Sequence, residues 1–125
     1  MIKILIVDDS AVVRDSLCSI LSPHADFKIL GEAVDGRDAI AKASSLHPDI
    51  ILMDAQMPGM DGLEATRRIK EHFPDIKVLL LVVHTSYIRA AITVGVDSYL
   101  MKDVGRKQLL KAIRDLAQGI PDKML

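Results

Sequence analysis

Asp49-Ile50-Ile51-Leu52-Met53-Asp54 is the stretch whose reading decides the fold. Four apolar residues run without alternation between two acids. Such a run is too short for an ordinary helix and has no polar face for solvent. It reads as a strand over residues 50–53 buried on both faces, the pattern of a parallel sheet covered above and below. It also stops abruptly at a carboxylate, Asp54.

Working outward, the same alternation of short apolar runs and longer amphipathic segments continues to both ends. The chain reads as a strand from its first residues, with Ile4 to Val7 as the first apolar run and Ser10 as N-cap of a helix whose Val13, Leu17, Ile20 and Leu21 repeat on one face. Pro23 ends that helix. Phe27 to Ala33 is a second strand. Gly36 opens a helix through Ala39, Ile40 and Ala43 that Pro48 closes. After the turn at Pro58-Gly59 a third helix runs to about His72. Val78 to Val83 follows Pro74 as the fourth strand. A helix from about Tyr87 to Val94 ends at Gly95. Ser98 to Met101 is the fifth strand. Lys107 to Gln118 is the last helix, with Leu109, Ile113, Leu116 and Ala117 on one face, and Gln118-Gly119-Ile120-Pro121 ends it. Five strands alternating with five helices predict an α/β fold, a doubly wound parallel sheet with helices on both faces. No repeat, linker or low-complexity segment divides residues 1–125, so one domain is expected.

Composition narrows the function. The 125 residues suffice for one core, and half of them are hydrophobic. With two Phe, two Tyr and no Trp, that core is built from aliphatic side chains. Sixteen basic and 17 acidic residues give a formal net charge of −1. This balance gives no basis for direct nucleic-acid binding or attraction to an anionic membrane. The single Cys18 excludes an internal disulfide and fits a reducing, cytoplasmic location. No apolar run approaches the ~20 residues needed to span a bilayer, and residues 1–5 do not read as a signal peptide.

Ligands of open α/β sheets bind beyond the C-terminal ends of the strands. Asp8 and Asp9 follow the first strand, Asp54 the third and Lys102 the fifth. Should these ends be neighbours, three carboxylates and a lysine share one crevice. Clustered carboxylates repel one another and suit a hard cation with oxygen ligands, above all Mg²⁺. Asp54 then becomes a nucleophile able to form an acyl phosphate, and Lys102 a fixed positive charge beside it. Asp8 and Asp9 equally suit a helix start, and most lysines are simply solvated. The combination, not any single residue, favours the chemical reading.

Four pieces carry a family resemblance: residues 4–9 (ILIVDD), 49–54 (DIILMD), 57–62 (MPGMDG) and 98–103 (SYLMKD). In this order the chain resembles the receiver domain of bacterial two-component response regulators, and Lys102-Asp103-Val104 with Leu109-Leu110-Lys111-Ala112-Ile113 and Gly119 is most similar to the LuxR-type (NarL-like) branch. The resemblance implies a flavodoxin-like sheet of order 2-1-3-4-5. It implies Asp54 as phosphoacceptor and Lys102 as its partner. It implies Mg²⁺ held by Asp9, Asp54 and the backbone carbonyl of Gln56, with Asp8 acting through water. The donor would be a phosphohistidine on a sensor histidine kinase, or a small phosphodonor. Members of this branch usually carry a C-terminal helix-turn-helix DNA-binding domain, so the chain reads as an excised receiver or a stand-alone one. The expected output is a partner protein or domain, in most cases a transcription regulator, and a homodimer is compatible with it.

One position departs from the family. Val82 stands where a Thr or Ser hydroxyl usually meets the phosphoryl group, and the following loop, His84-Thr85-Ser86, is about two residues short. Tyr99 matches the family's aromatic switch, although a static, half-buried tyrosine is an equal reading. These features sustain an alternative, an atypical pseudo-receiver that binds a partner without being phosphorylated. A Mg²⁺-dependent phosphatase is disfavoured because Gln56 occupies the place of a second acid. A nucleotide-binding flavodoxin-like protein lacks its Gly-rich loop. His84 reads as a solvated loop residue, Cys18 as a buried small apolar one, and the cluster Arg67-Arg68-Lys70 as a solvated helix face.

Overall fold

The computed structural model describes residues 1–120. The strands are β1 (Ile2–Val7), β2 (Phe27–Ala33), β3 (Ile50–Asp54), β4 (Lys77–Val82) and β5 (Ser98–Met101). The helices are α1 (Ala11–Leu21), α2 (Gly36–Leu46), α3 (Gly62–His72), α4 (Ile88–Val94) and α5 (Arg106–Ala117). The sheet is wholly parallel, in the order β2-β1-β3-β4-β5. This is the flavodoxin-like arrangement expected from the sequence.

Two apolar layers sandwich the sheet. Leu5, Val7, Ile51 and Met53 pack with Ala39, Ala43, Ala65, Ile69 and Ala91 on the side of α2, α3 and α4. Ile4, Ile6, Ile50 and Leu52 pack with Leu17, Leu21, Leu109 and Ile113 on the side of α1 and α5. Every residue of β3 is buried, as its unbroken apolar run requires. Each fully buried aliphatic side chain contributes about 1.5–3 kcal/mol of transfer free energy.

The helix starts follow local chemistry. Ser10, Asp35 and Asp61 each accept a hydrogen bond from the backbone N–H three residues on. Gly95, at φ 87°, ends α4 in the left-handed conformation. At the end of α2 the same role falls to His47, at φ 49°, so that helix is closed one residue before Pro48.

Several boundaries differ from expectation. β1 is not among them: it begins at Ile2, within the stretch expected to be strand from the start, where Ile2 pairs with Phe27 and the Lys3 N–H is held by Asp49 at 2.8 Å. β4 spans Lys77–Val82; Val83 lies outside the sheet and is half-exposed. A 3₁₀ turn, Thr85–Tyr87, precedes α4, which begins at Ile88 rather than Tyr87. On α5 the buried face is Leu109, Leu110, Ile113 and Leu116. Ala117 sits two turns after Leu110 on the same flank and is exposed. Pro121, part of the expected stop signal, lies outside the described residues.

Lys70 departs from the expected solvated face. Its ammonium donates to the carbonyls of Pro74 and Ile76 and to Asp97 at 2.9–3.0 Å. Asp97 also accepts from Val78 N–H at 2.8 Å, so the pair ties α3 to the start of β4 and to the loop before β5. Arg67 and Arg68 do stand in solvent. They clasp Glu64 and hold its carboxyl down to about 2. Cys18 is half-buried against the α1 and α5 layer, less enclosed than expected.

Candidate functional site

Parallel pairing brings the acids together. Val7 is level with Met53 on adjacent strands, so the residues that follow, Asp8 and Asp54, stand side by side. Both are almost fully buried, whereas Asp9 is exposed. One carboxylate oxygen from each of the three lies within 4.8 Å of the others.

Lys102 reaches the pair from the far side of β4. Its backbone N–H donates to the Val82 carbonyl at 2.7 Å, extending the β4–β5 ladder by one rung. Its ammonium then stands 2.9 Å from Asp8 Oδ2 and 3.2 Å from Asp54 Oδ2. Asp8 Oδ2 is buried, and this contact is an ion pair without a well-aligned hydrogen bond. The remaining oxygens are fixed by backbone. Ser10 N–H donates to Asp8 Oδ1 at 2.9 Å and Gln56 N–H to Asp54 Oδ1 at 3.2 Å.

The electrostatics follow from burial. Loss of water pushes the Asp54 carboxyl above its ordinary value, and the neighbouring Asp8 charge adds to this. The Gln56 N–H and Lys102 only partly offset them. Burial works against the charge on Lys102, but Asp8 and Asp54 outweigh it and hold the ammonium above the usual lysine value. The folded chain therefore holds a proton on Asp54 more tightly than the unfolded chain does. The resulting stability is fully present below the ordinary carboxylate value near ~3.9 and is lost as pH rises through the raised one. In metal-free buffer, Asp54→Asn is thus expected to be more stable than wild type near neutral pH. The margin should shrink towards about pH 4. Urea unfolding at several pH values measures it, and a pH-independent margin contradicts the account.

The donor set suits a hard divalent cation: carboxylate oxygens only, at strand ends, with a buried oxygen lacking an aligned donor. Glycine shapes the floor. A Cβ on Gly62 would stand 1.9 Å from the Asp54 carbonyl oxygen. Gly62 N–H donates to the Ala55 carbonyl at 3.0 Å, and Gly36 N–H to Met60 at 3.2 Å. These bonds pin the loop that carries Gln56, whose side chain is exposed.

Val82 is the last residue of β4 and is fully buried. Tyr99 is 6% exposed and packs in the same apolar layer as Val82 and Ala91, deeper than a half-buried side chain. Thr85 and Ser86 are exposed in the 3₁₀ turn, as is His84 before it. Sequence reading missed Arg14. Its guanidinium donates to the Asp8 carbonyl at 2.8 Å and to Glu32 at 3.0 Å. No spacing signal marks a contact between α1 and the edge strand β2.

The family model for the response regulator receiver domain matches residues 4–114. The response regulator protein VraR of Staphylococcus aureus is 44% identical over 120 residues, covering 94% of this chain and 57% of that protein. The chain thus spans little more than half the length of such curated relatives. Among solved structures, the signal receiver domain of NarL from Mycobacterium tuberculosis is 30% identical with a TM-score of 0.89, covering 94% of this chain and 97% of that one. The response regulator domain of CheB from Thermotoga maritima is 32% identical with a TM-score of 0.88, with the same coverage. On the acid-and-lysine crevice, the strand order and these matches, the chain belongs to the response regulator receiver domain family, with relatives in its LuxR/NarL branch.

Proposed function

We propose that the chain receives a phosphoryl group on Asp54 and thereby switches an output partner. The observation that carries this reading is the single ammonium of Lys102 bridging Asp8 and Asp54 beside the Asp9 carboxylate. An Asp54 oxygen forms a bond to phosphorus as the P–N bond of a phosphohistidine donor breaks, and the imidazole leaves on the donor. Lys102 is in reach of charge developing on the phosphoryl oxygens. Asp9, Asp54 and the Gln56 backbone carbonyl would hold Mg²⁺, with Asp8 acting through water; bound there, the ion supplies neutralising charge for the incoming phosphate. The chain modifies itself and turns over no external substrate.

The donor is a sensor histidine kinase or a small phosphodonor. A DNA-binding response regulator of the LuxR family from Staphylococcus aureus shares the fold at 27% identity and a TM-score of 0.87. That likeness supports a transcription-regulating output, in a following domain or a separate protein, with homodimerisation as one means of switching. No helix among the described residues is long and apolar enough to cross a membrane. The near-neutral charge argues against nucleic-acid contact by this domain itself.

A second reading is favoured by one observation. Val82 offers no hydroxyl at the end of β4, and Tyr99 is already packed inward beside it. On that reading the chain is a pseudo-receiver with a fixed output face. Intact-mass measurement after incubation with acetyl phosphate and Mg²⁺ separates the two. Gain of one phosphoryl group in wild type but not in Asp54→Ala supports the first. No gain where Mg²⁺ demonstrably binds supports the second.

A further inference from the structure

We propose that Arg14 is a positioning residue for the acidic site, holding the Asp8–Asp9 peptide in the orientation that turns both carboxylates towards Asp54. The inference rests on the reading of that cluster as a Mg²⁺ site. Arg14 lies in the second turn of α1, and its backbone N–H is tied to the Ser10 carbonyl at 3.0 Å. Its side chain is only 15% exposed. One arm of the guanidinium, Nη1, donates to the Asp8 carbonyl at 2.8 Å. The Nε–H donates to Glu32 at 3.0 Å. Glu32 is level with Ile6 on the neighbouring strand, and its own backbone carbonyl accepts from Lys42.

The Asp8 carbonyl belongs to the peptide that joins the two acids. Fixing its oxygen fixes the plane from which the Asp9 Cα departs. This matters more for Asp9 than for Asp8. The Asp8 side chain is held independently by Ser10 N–H and Lys102. Asp9 is exposed, and no described side chain bonds its carboxylate. Its aim therefore depends on the backbone, and Arg14 is the side chain that grips that backbone. A planar fork suits the task, because it reaches a carbonyl and a carboxylate at once; a lysine offers one compact charge.

Charge and position make opposite demands. Removing a cation next to three carboxylates strengthens Mg²⁺ binding if Arg14 acts only through its field. Loosening the Asp8–Asp9 peptide weakens it. Calorimetric titration of the full chain with Mg²⁺ alone reads the sign directly. Arg14→Gln is expected to raise the Mg²⁺ Kd about tenfold, the lower range for residues that orient metal ligands. Arg14→Lys keeps the charge but not the fork, and is expected to recover only part of that loss. Urea unfolding of each variant checks that it is folded, and Arg14→Lys alone decides the matter should Arg14→Gln not fold. A Kd unchanged or lowered in Arg14→Gln, or fully restored in Arg14→Lys, overturns the positioning role. Asp9→Ala serves as the control that should abolish binding. Wild type that binds no Mg²⁺ sinks the metal-site reading itself, and this proposal with it. Wild type that binds, beside an Arg14→Gln variant that binds equally well, sinks only the role of Arg14.

Discussion

Gly62→Ala is expected to lose about 3 kcal/mol of stability or more, at the upper end for overpacking a tight site. The new Cβ would lie 1.9 Å from the Asp54 carbonyl oxygen and 2.9 Å from the Ala55 Cα. Both obstacles are backbone, so no flexible side chain can move aside. Either the end of β3 or the start of α3 must shift. The shift would move Asp54 relative to Asp8 and break the bond from Gly62 N–H to Ala55. Loss of phosphoryl acceptance should accompany the loss of stability. Gly105→Ala is the matched control: it has no atom within 4 Å of the new Cβ and an ordinary φ of −70°. Urea midpoints of the two variants measure the difference. Equal midpoints contradict the close approach.

The second large effect is expected at Lys102. Lys102→Met keeps most of the length of the side chain and removes the charge shared by Asp8 and Asp54. Removing one partner of a buried pair typically costs ~3–5 kcal/mol. Lys102 is a quarter exposed, so water screens part of this, and about 2 kcal/mol is expected in metal-free buffer. Two buried carboxylates then face each other without a counter-charge. Asp54 should hold its proton to still higher pH. A divalent cation should recover much of the lost stability, so Mg²⁺ should stabilise Lys102→Met more than wild type. The phosphorylation rate should fall at least tenfold, since the charge beside the phosphoryl oxygens is gone. Urea unfolding with and without Mg²⁺, together with acetyl phosphate kinetics, tests each part. A variant equal to wild type in both would show that the lysine is merely adjacent.

What the sequence made legible is what depends on local pattern. The apolar run 50–53 announced a strand covered on both faces, and all of β3 is buried. Acids and a lysine after the first, third and fifth runs pointed to one crevice, because chain order places strand ends predictably in a doubly wound sheet. The branch of the family was readable from the segment after the fifth strand, Lys102-Asp103-Val104 with Leu109-Leu110-Lys111-Ala112-Ile113. Less legible were features that depend on which surfaces meet. Lys70 looks like its neighbours Arg67 and Arg68, yet it turns inward to Asp97, a contact between α3 and the start of β5. Leu110 and Ala117 share a flank of α5, and only the packing decides that one is buried and the other exposed. The grip of Arg14 on the Asp8 carbonyl needs α1, β1 and β2 in register. Gly62 could be read as the start of a helix after Asp61. The need for glycine there comes from a carbonyl eight residues upstream.

Val82 and Tyr99 mark where the two functional readings part. Both lie in the apolar layer beneath α4, with no hydroxyl at the strand end to meet a phosphoryl oxygen. A shielded phosphoryl oxygen without that partner loses about 1–3 kcal/mol of stabilisation. On the proposed reading, acceptance at Asp54 rests on its own carboxylate and on the Lys102 ammonium 3.2 Å away, neither of which is a hydroxyl at position 82. On the same reading, Val82 bears on the next step, transmission of the signal towards α4.

The central claim is that Asp54 itself forms the acyl phosphate. Trapping with borohydride after exposure to acetyl phosphate and Mg²⁺ tests it most directly, since reduction converts a phosphorylated aspartate to homoserine. Peptide mass spectrometry then locates the reduced residue. The account predicts homoserine at position 54, with Asp8 and Asp9 unchanged and the product absent when Mg²⁺ is withheld. Homoserine at position 8 or 9, or none at position 54 in a chain that binds Mg²⁺, would contradict it.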